Sequence, residues 1–342
     1  MEIQEIYVDG FKNISDVNLI LNSTITALIG FNNTGKSNLL QSIIFGFELL
    51  RSNYEDRKAL LSSKNIMPAL EKFKHDTFSF GVKFIINDEV FNYKLKANWT
   101  SFDVLEENIT DENNKSRMDL FKALKETIIA TVYENNDLEY YTLSKSQSKK
   151  IEDDCYLMYK NLKELNGDNK DRYDLLVDSF LSLFPEIEYI RLDYAESIYY
   201  KEEFLDRELP LKFLSSGPQK ILKLLIALAK VDIKKLNVVF FEEIENSIHP
   251  ILIENLLIAL DVLSCNTKII ITSHSPYLIQ HIDLENIYLS VPSNNGRACF
   301  KRINDKEKLL NLASKYDQST GEFIFNLMLE AYHYPERLLE WL

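Results

Sequence analysis

Residues Gly30 to Ser37 read Gly-Phe-Asn-Asn-Thr-Gly-Lys-Ser, which satisfies the pattern G-x-x-x-x-G-K-[ST] at every fixed position. The pattern constrains everything around it, because it functions only as a loop between a strand and the N-terminus of a helix. Both flanks comply. Ile25 to Ile29 is a short apolar run suited to a strand, and Leu39, Leu40, Ile43, Ile44 and Phe47 recur at helical spacing through Asn38 to Leu50. Gly30 and Gly35 permit backbone geometry that side chains forbid, so the N–H groups of Asn32, Asn33, Thr34 and the residues after them can ring a β-phosphate. Lys36 then places a positive charge between β- and γ-phosphates, and the Ser37 hydroxyl can ligate Mg²⁺, with Asn38 next in the helix. The expected ligand is a nucleoside triphosphate with Mg²⁺.

Composition narrows the setting. Of the 342 residues 46% are hydrophobic and 12% aromatic, which suits a chain with one large core or two modest ones. The N-terminus lacks a basic segment followed by an apolar one, and the most apolar later run, Ile221 to Ala229, is interrupted by Lys223. Neither secretion nor membrane insertion is expected. Cys155, Cys265 and Cys299 are widely spaced and suggest neither a disulfide framework nor a metal site, in keeping with a reducing cytoplasm. The formal net charge of −13 repels nucleic acid at long range. Local basic clusters are Lys145, Lys149 and Lys150, and Lys115, Arg117, Lys122 and Lys125; such runs are commonly solvated faces.

Along the chain, Ile3 to Val8 and Val17 to Leu21 alternate as a hairpin that leads into the phosphate-loop strand, and Phe78 to Ile86 with Val90 to Leu95 read as a second hairpin. From about 101 to 185 the periodicity turns helical, with candidate helices Ser116 to Tyr133, Ile151 to Leu165 and Arg172 to Phe184, broken at Asn166 to Asn169. Ile187 to Leu192 is a return strand. The run Leu214-Ser215-Ser216-Gly217-Pro218-Gln219-Lys220 opens an apolar helix, Val238 to Phe241 is a buried strand ending in Glu242, Glu243 and Glu245, and Lys268 to Thr272 is another, ending in Ser273-His274-Ser275-Pro276. Ser275 reads as a helix cap and Pro276 as its first-turn proline. Helices near 305–315 and 321–332 close the chain.

In that order, and with the opening Gly10-Phe11-Lys12-Asn13-Ile14, these features resemble the ABC-type ATPase heads of RecF and SMC proteins, and most closely the stand-alone AAA-family ATPases related to OLD proteins. The resemblance covers about residues 1–50 and 205–290. It implies an α/β ABC-type P-loop ATPase head of two lobes with a helical insertion: lobe I over 1–100, the insertion over 101–185, lobe II over 186–300 and a helical tail over 301–342. By resemblance, Glu242 is the Walker B carboxylate beside Mg²⁺, although the wider superfamily prefers Asp there. Glu243 polarises the attacking water and His274 senses the γ-phosphate. Lys12 and Asn13 approach the nucleotide. Ser215 and Gly217 match the signature that reaches ATP on another subunit, while Ser216 and Pro218 depart from it, Pro218 removing one N–H. Asn246 and His249 fall in the loop assigned to communication between subunits.

The resemblance therefore implies ATP and Mg²⁺ as ligands, a homodimer or higher assembly as the working form, and hydrolysis coupled to movement. About seventy residues follow His274, from which no Toprim nuclease domain is expected. A separate effector, a nuclease or toxin, is the expected partner, in defence against phage or DNA repair, with nucleic acid a candidate ligand. Two other readings are a nucleotide-gated scaffold or inhibitor with little turnover, and a transporter ATPase; the signature and the Asp9-Gly10-Phe11-Lys12 opening argue against the latter.

Overall fold

The structure is a computed structural model and describes residues 2–62, 75–132, 138–141, 154–231, 235, 237–246, 248–292, 296–303 and 305–333. Strands β1 (Glu2–Asp9) and β2 (Val17–Ile20) pair antiparallel and lead into β3 (Ile25–Ile29). Helix α1 (Lys36–Arg51) follows the phosphate loop, and Asn53 caps α2 (Tyr54–Leu61) by accepting the Asp56 N–H. Strands β4 (Thr77–Ile86) and β5 (Glu89–Asn98) pair around Asn87 and Asp88, both at positive φ, as a two-residue hairpin turn requires. With β6 (Val104–Asp111) they complete a five-stranded antiparallel sheet in the order β2-β1-β4-β5-β6.

The next stretch departs from expectation. The helix read over Ser116 to Tyr133 does not form. In its place are a 3₁₀ turn (Met118–Leu120), a five-residue helix α3 (Phe121–Lys125) and strand β7 (Ile128–Val132), which pairs with β8 (Leu138–Tyr141). The sequence Ile-Ile-Ala-Thr-Val over β7 is rich in β-branched residues, which are stiff at χ1 and favour a strand. Among the described residues the other helices within 101–185 are α4 (Asp154–Asp168) and α5 (Lys170–Leu183). The break between them is also tighter than expected: α4 continues through Gly167, and Asn169 caps α5 through the Arg172 N–H.

Strands β9 (Ile187–Leu192), β10 (Ile198–Glu202) and β11 (Leu209–Pro210) form a small separate sheet. Then come α6 (Ser216–Ala229), β12 (Asn237–Phe241), α7 (Ile253–Ser264), β13 (Thr267–Ser273), α8 (Pro276–Ile279), β14 (Ile287–Pro292), β15 (Ala298–Arg302), α9 (Lys306–Lys315) and α10 (Thr320–His333). The main sheet has the order β15-β14-β3-β13-β12-β7-β8; its five inner strands are parallel and its two edges antiparallel.

Strand alternation splits the interior in two. Ala27, Ile29, Val239, Phe241, Ile269 and Ile271 face one core with the helices α4 to α7, while Leu28, Val238, Phe240 and Ile270 face another, shared with α1 and the five-stranded sheet. Helix α1 thus lies between two sheets and is buried around most of its circumference. On the opposite side Arg172 ties three helices together: its guanidinium donates to the carbonyls of Leu228 and Ala229 at the end of α6 and of Leu263 near the end of α7, and lies 3.2 Å from Cys265 Sγ. No helix among the described residues is long and apolar enough to cross a membrane.

Helix α1 packs tightly on the five-stranded sheet at Gly46, where an added Cβ would lie 2.3 Å from the buried Phe80 ring. Gly46→Val is expected to destabilise the protein by about 2 kcal/mol through overpacking, more than the modest helix-propensity gain returns. Thermal melting checks this, and an unchanged midpoint would show that the ring yields freely.

Candidate nucleotide site

The phosphate loop leaves the sheet at Gly30, whose N–H still donates to Ser273 O at 3.2 Å. A Cβ on Gly30 would meet Thr34 Oγ1 at 2.7 Å and Ser290 Cβ at 2.8 Å, so the loop closes on itself only because Gly30 has none. Thr34 Oγ1 donates to Phe31 O, and Ser290 on β14 donates to Thr34 O, both at 2.8 Å. Asn33 and Gly35 adopt positive φ, 68° and 102°, and a Cβ at Gly35 would lie 2.5 Å from Ala298 Cβ. Lys36 begins α1 and folds back across this cradle, donating to Gly30 O at 2.6 Å and Phe31 O at 2.9 Å. Burial pulls the Lys36 ammonium below the usual lysine range, and Glu243, Glu245 and Glu242 oppose that pull.

Lys12 and Asn13 reach the start of α1 because Phe11 is anchored beneath them. Its ring packs against Phe45 and Phe78 with centroids 5.3 and 6.1 Å away, and Gly10 turns the chain at φ 80°, where a Cβ would strike Thr77 O. Asn13 O accepts from Ala298 N, Asn13 Oδ1 accepts from Asn38 Nδ2 at 2.8 Å, and Lys12 Nζ donates to Gln41 and Asn38.

The acidic turn comes to the loop from β12. Ser37 Oγ donates to Glu242 Oε2 at 3.4 Å. Glu243 sits at φ 47°, a left-handed conformation that costs roughly 1–3 kcal/mol in a residue with a side chain. Its surroundings hold it there: its N–H donates to Thr272 Oγ1 at 3.1 Å, Asn246 Nδ2 donates to its Oε2 at 2.7 Å, and its carbonyl accepts from Lys220 Nζ at 3.0 Å. From β13, Ser273 Oγ and His274 N donate to Glu245 Oε1 at 2.7 and 3.0 Å. Strands β3, β13 and β12 therefore deliver Lys36 and Ser37, His274, and Glu242 and Glu243 to one edge of the sheet, the carboxyl ends where open α/β sheets bind ligands.

Ser215 and Gly217 stand apart at the start of α6. Ser215 is exposed and does not cap the helix through its side chain. Pro218 falls in the first helical turn, where a backbone N–H has no intrahelical acceptor, so its missing donor costs the helix nothing. Gln219 donates to Leu211 O and Leu214 O, and buried Lys220 to Glu243 O and Asn246 O.

The neighbouring loop residues have contacts within the chain. Asn246 donates to the Glu243 carboxylate, His249 Nδ1 accepts the Ile251 N–H at a 3₁₀ turn, and Ser275 is the N-cap of α8, without a side-chain hydrogen bond. Lys220, Thr272 and Ser290 escaped notice because a lysine in a helix and hydroxyls in strands carry no spacing signal. The C-terminal helix also reaches the site: Phe325 stacks edge-on against Phe31 at 5.6 Å, and Gly321 touches the backbone of Pro276. Of the basic clusters, Arg117 pairs with Asp119 and Glu89, while Lys145, Lys149 and Lys150 lie outside the described residues.

Mg²⁺ fits the donor set. It binds hard oxygens with octahedral geometry and completes its shell with water and phosphate, and Ser37 Oγ and Glu242 Oε2 offer two such oxygens 3.4 Å apart at the mouth of the cradle. Among the described residues no group of three or more His, Cys, Asp or Glu could cage a metal alone.

No curated protein matches this chain significantly. By structure it is similar to the SMC head domain from Thermotoga maritima (16% identity, TM-score 0.55, covering 89% of this chain and 100% of that one). It is also similar to an Smc head bound to the C-terminal winged-helix domain of ScpA (15% identity, TM-score 0.58, 90% and 99%). A third likeness is to an Smc head with an extended coiled coil bound to the C-terminal domain of ScpA, from Pyrococcus furiosus (12% identity, TM-score 0.53, 93% and 100%). At these identities the likeness establishes the fold, an ABC-type, SMC-like P-loop ATPase head. Residues 25–280 match the family model described as "AAA domain, putative AbiEii toxin, Type IV TA system", a span from the strand before the phosphate loop to just beyond His274, and the chain belongs to that AAA family.

Proposed function

We propose that this chain hydrolyses ATP in a site completed by a second copy, and that the cycle of closure and opening drives a separately encoded effector. The observation that carries the reading is the meeting of Ser37 with Glu242 at 3.4 Å, beside a Lys36 folded over the loop. Ser37 and Glu242 would hold Mg²⁺, which when bound neutralises charge between the β- and γ-phosphates. Lys36 exchanges the carbonyls of Gly30 and Phe31 for phosphate oxygens, better partners for an ammonium. Glu243, held in its strained turn by Thr272, Asn246 and Lys220, orients the attacking water and accepts its proton. His274 meets the γ-phosphate side.

The exposed start of α6, with Ser215 and Gly217, supports completion by another copy, since in related heads this segment caps the partner's nucleotide. Lys12, Asn13 and Asn38 line the rim on the near side. The family's description as a putative toxin of a type IV toxin–antitoxin system supports a role in a two-component system, beside a separately encoded partner. Closure then shifts the population of two head arrangements, and α4, α5 and the C-terminal helix carry the shift outward.

Two outcomes are expected. Glu243→Gln should lower ATP turnover by about a hundredfold or more, and with ATP it should accumulate as a dimer of twice the 39.9 kDa protomer mass in light scattering. Absence of turnover in the native protein, together with a monomer at all ATP concentrations, would overturn the composite-site reading. Lys36→Ala should weaken ATP binding at least about tenfold, the loss of charge-assisted hydrogen bonds, as titration calorimetry can measure.

A further inference from the structure

Glu245 is an acidic residue that the hydrolytic scheme leaves without a task, yet its surroundings are specific. Its side chain is only 9% exposed. Oxygen Oε1 accepts from Ser273 Oγ and the His274 backbone N–H, and Ser273 Oγ in turn accepts from Ser275 N at 2.9 Å. Oxygen Oε2 is buried and has no hydrogen-bond partner. His274 Nδ1 is likewise buried without a hydrogen bond, and lies 3.5 Å from Glu245 Oε1. The His274 side chain as a whole is 42% exposed, so its exposed surface lies on side-chain atoms other than Nδ1.

A buried carboxylate with half its accepting capacity unused is costly. Here an unfilled acceptor and an unfilled ring nitrogen occur on two residues of one network, with the ring nitrogen 3.5 Å from the same carboxylate. Hydrogen bonds in unliganded sites are commonly long and tighten when the ligand arrives.

We infer that Glu245 is a positioning residue for His274: its carboxylate keeps a proton on Nδ1 and turns Nε2 toward the nucleotide. The inference rests on the proposed role of His274 at the γ-phosphate. The hydrogen bond made by one ring nitrogen decides the state of the other. With Nδ1–H committed to Glu245, the ring presents Nε2 to the γ-phosphate side, and a ring that meets a phosphate oxygen there donates in both directions. Glu245 also accepts from the backbone of His274, so the loop and the ring are fixed together. It acts through His274 and touches no reacting atom.

Selective ¹⁵N-histidine labelling of the full chain, with the His274 signals assigned from a His274→Gln variant, reads the proton directly. In the native protein Nδ1 should carry it, and in the isosteric Glu245→Gln the population should move toward Nε2–H. An unprotonated Nδ1 in the native protein overturns the inference without need of any variant. In turnover assays Glu245→Gln should lower kcat between about tenfold and a hundredfold, the range for losing a carboxylate that orients a functional histidine, with ATP affinity within about twofold. In a His274→Ala background the same change should cost nothing further. Independent, multiplying effects would overturn the inference. Should the native protein not hydrolyse ATP, the hydrolytic reading fails while the labelled spectra still decide whether Glu245 holds the ring.

Discussion

The parallel pairing of β3 with β13 and of β13 with β12 is the constraint on which the site depends. In that register Ile29 lies opposite Ser273 and Phe241 opposite Ile271, so three loops leave the sheet at one level. Nothing local holds Lys36 near Glu243, or Ser37 near Glu242; the residues are separated by some two hundred positions and meet only because the strands between them are buried on both faces and have one favourable registration. A slip by one residue would invert every inward side chain of β12 and remove the carboxylates from the loop.

Around this edge the structure concentrates charge and strain and compensates each. Lys36 and Lys220 are buried ammonium groups given carbonyl oxygens as partners, Glu243 occupies a left-handed turn fixed by three hydrogen bonds, and Glu245 binds the neighbouring strand end. The start of α6 is bound by Lys220 to the acidic turn, and its end is bound by Arg172 to α5 and α7. Helix α6 is therefore fixed at both ends, so displacement at one end is transmitted rather than absorbed.

Much of this was legible in the sequence, for identifiable reasons. The phosphate loop was readable because its glycines obey steric rules that leave almost no alternatives, and β12 and β13 because buried parallel strands are short continuous apolar runs. Strand β7 was not, since Leu120, Leu124, Ile128 and Ile129 continue a helical spacing across a point where the backbone turns, and only the partner β12, more than a hundred residues later, decides between helix and strand. Of the small sheet of β9, β10 and β11 only the first strand is legible: Lys201 and Glu202 on β10 carry charge where an apolar alternation would mark a strand. The functions of Glu245, Lys220 and Thr272 depend on contacts between distant segments, which no local pattern encodes.

The place of β3 in the sheet also bears on how the chain is made. Its two neighbours, β13 and β14, begin at Thr267 and Ile287, so the strand carrying the phosphate loop has no sheet partner until roughly 240 further residues have been synthesised. At about 5–20 residues per second this is an interval on the order of ten to fifty seconds. The five-stranded sheet and α1 can assemble meanwhile and cover one face of β3, but its edges stay unpaired, open to the wrong partner in the way exposed strand edges are. The nucleotide site is thus among the last features of the molecule to exist, and a nascent chain acquires it only when the second half closes over the first.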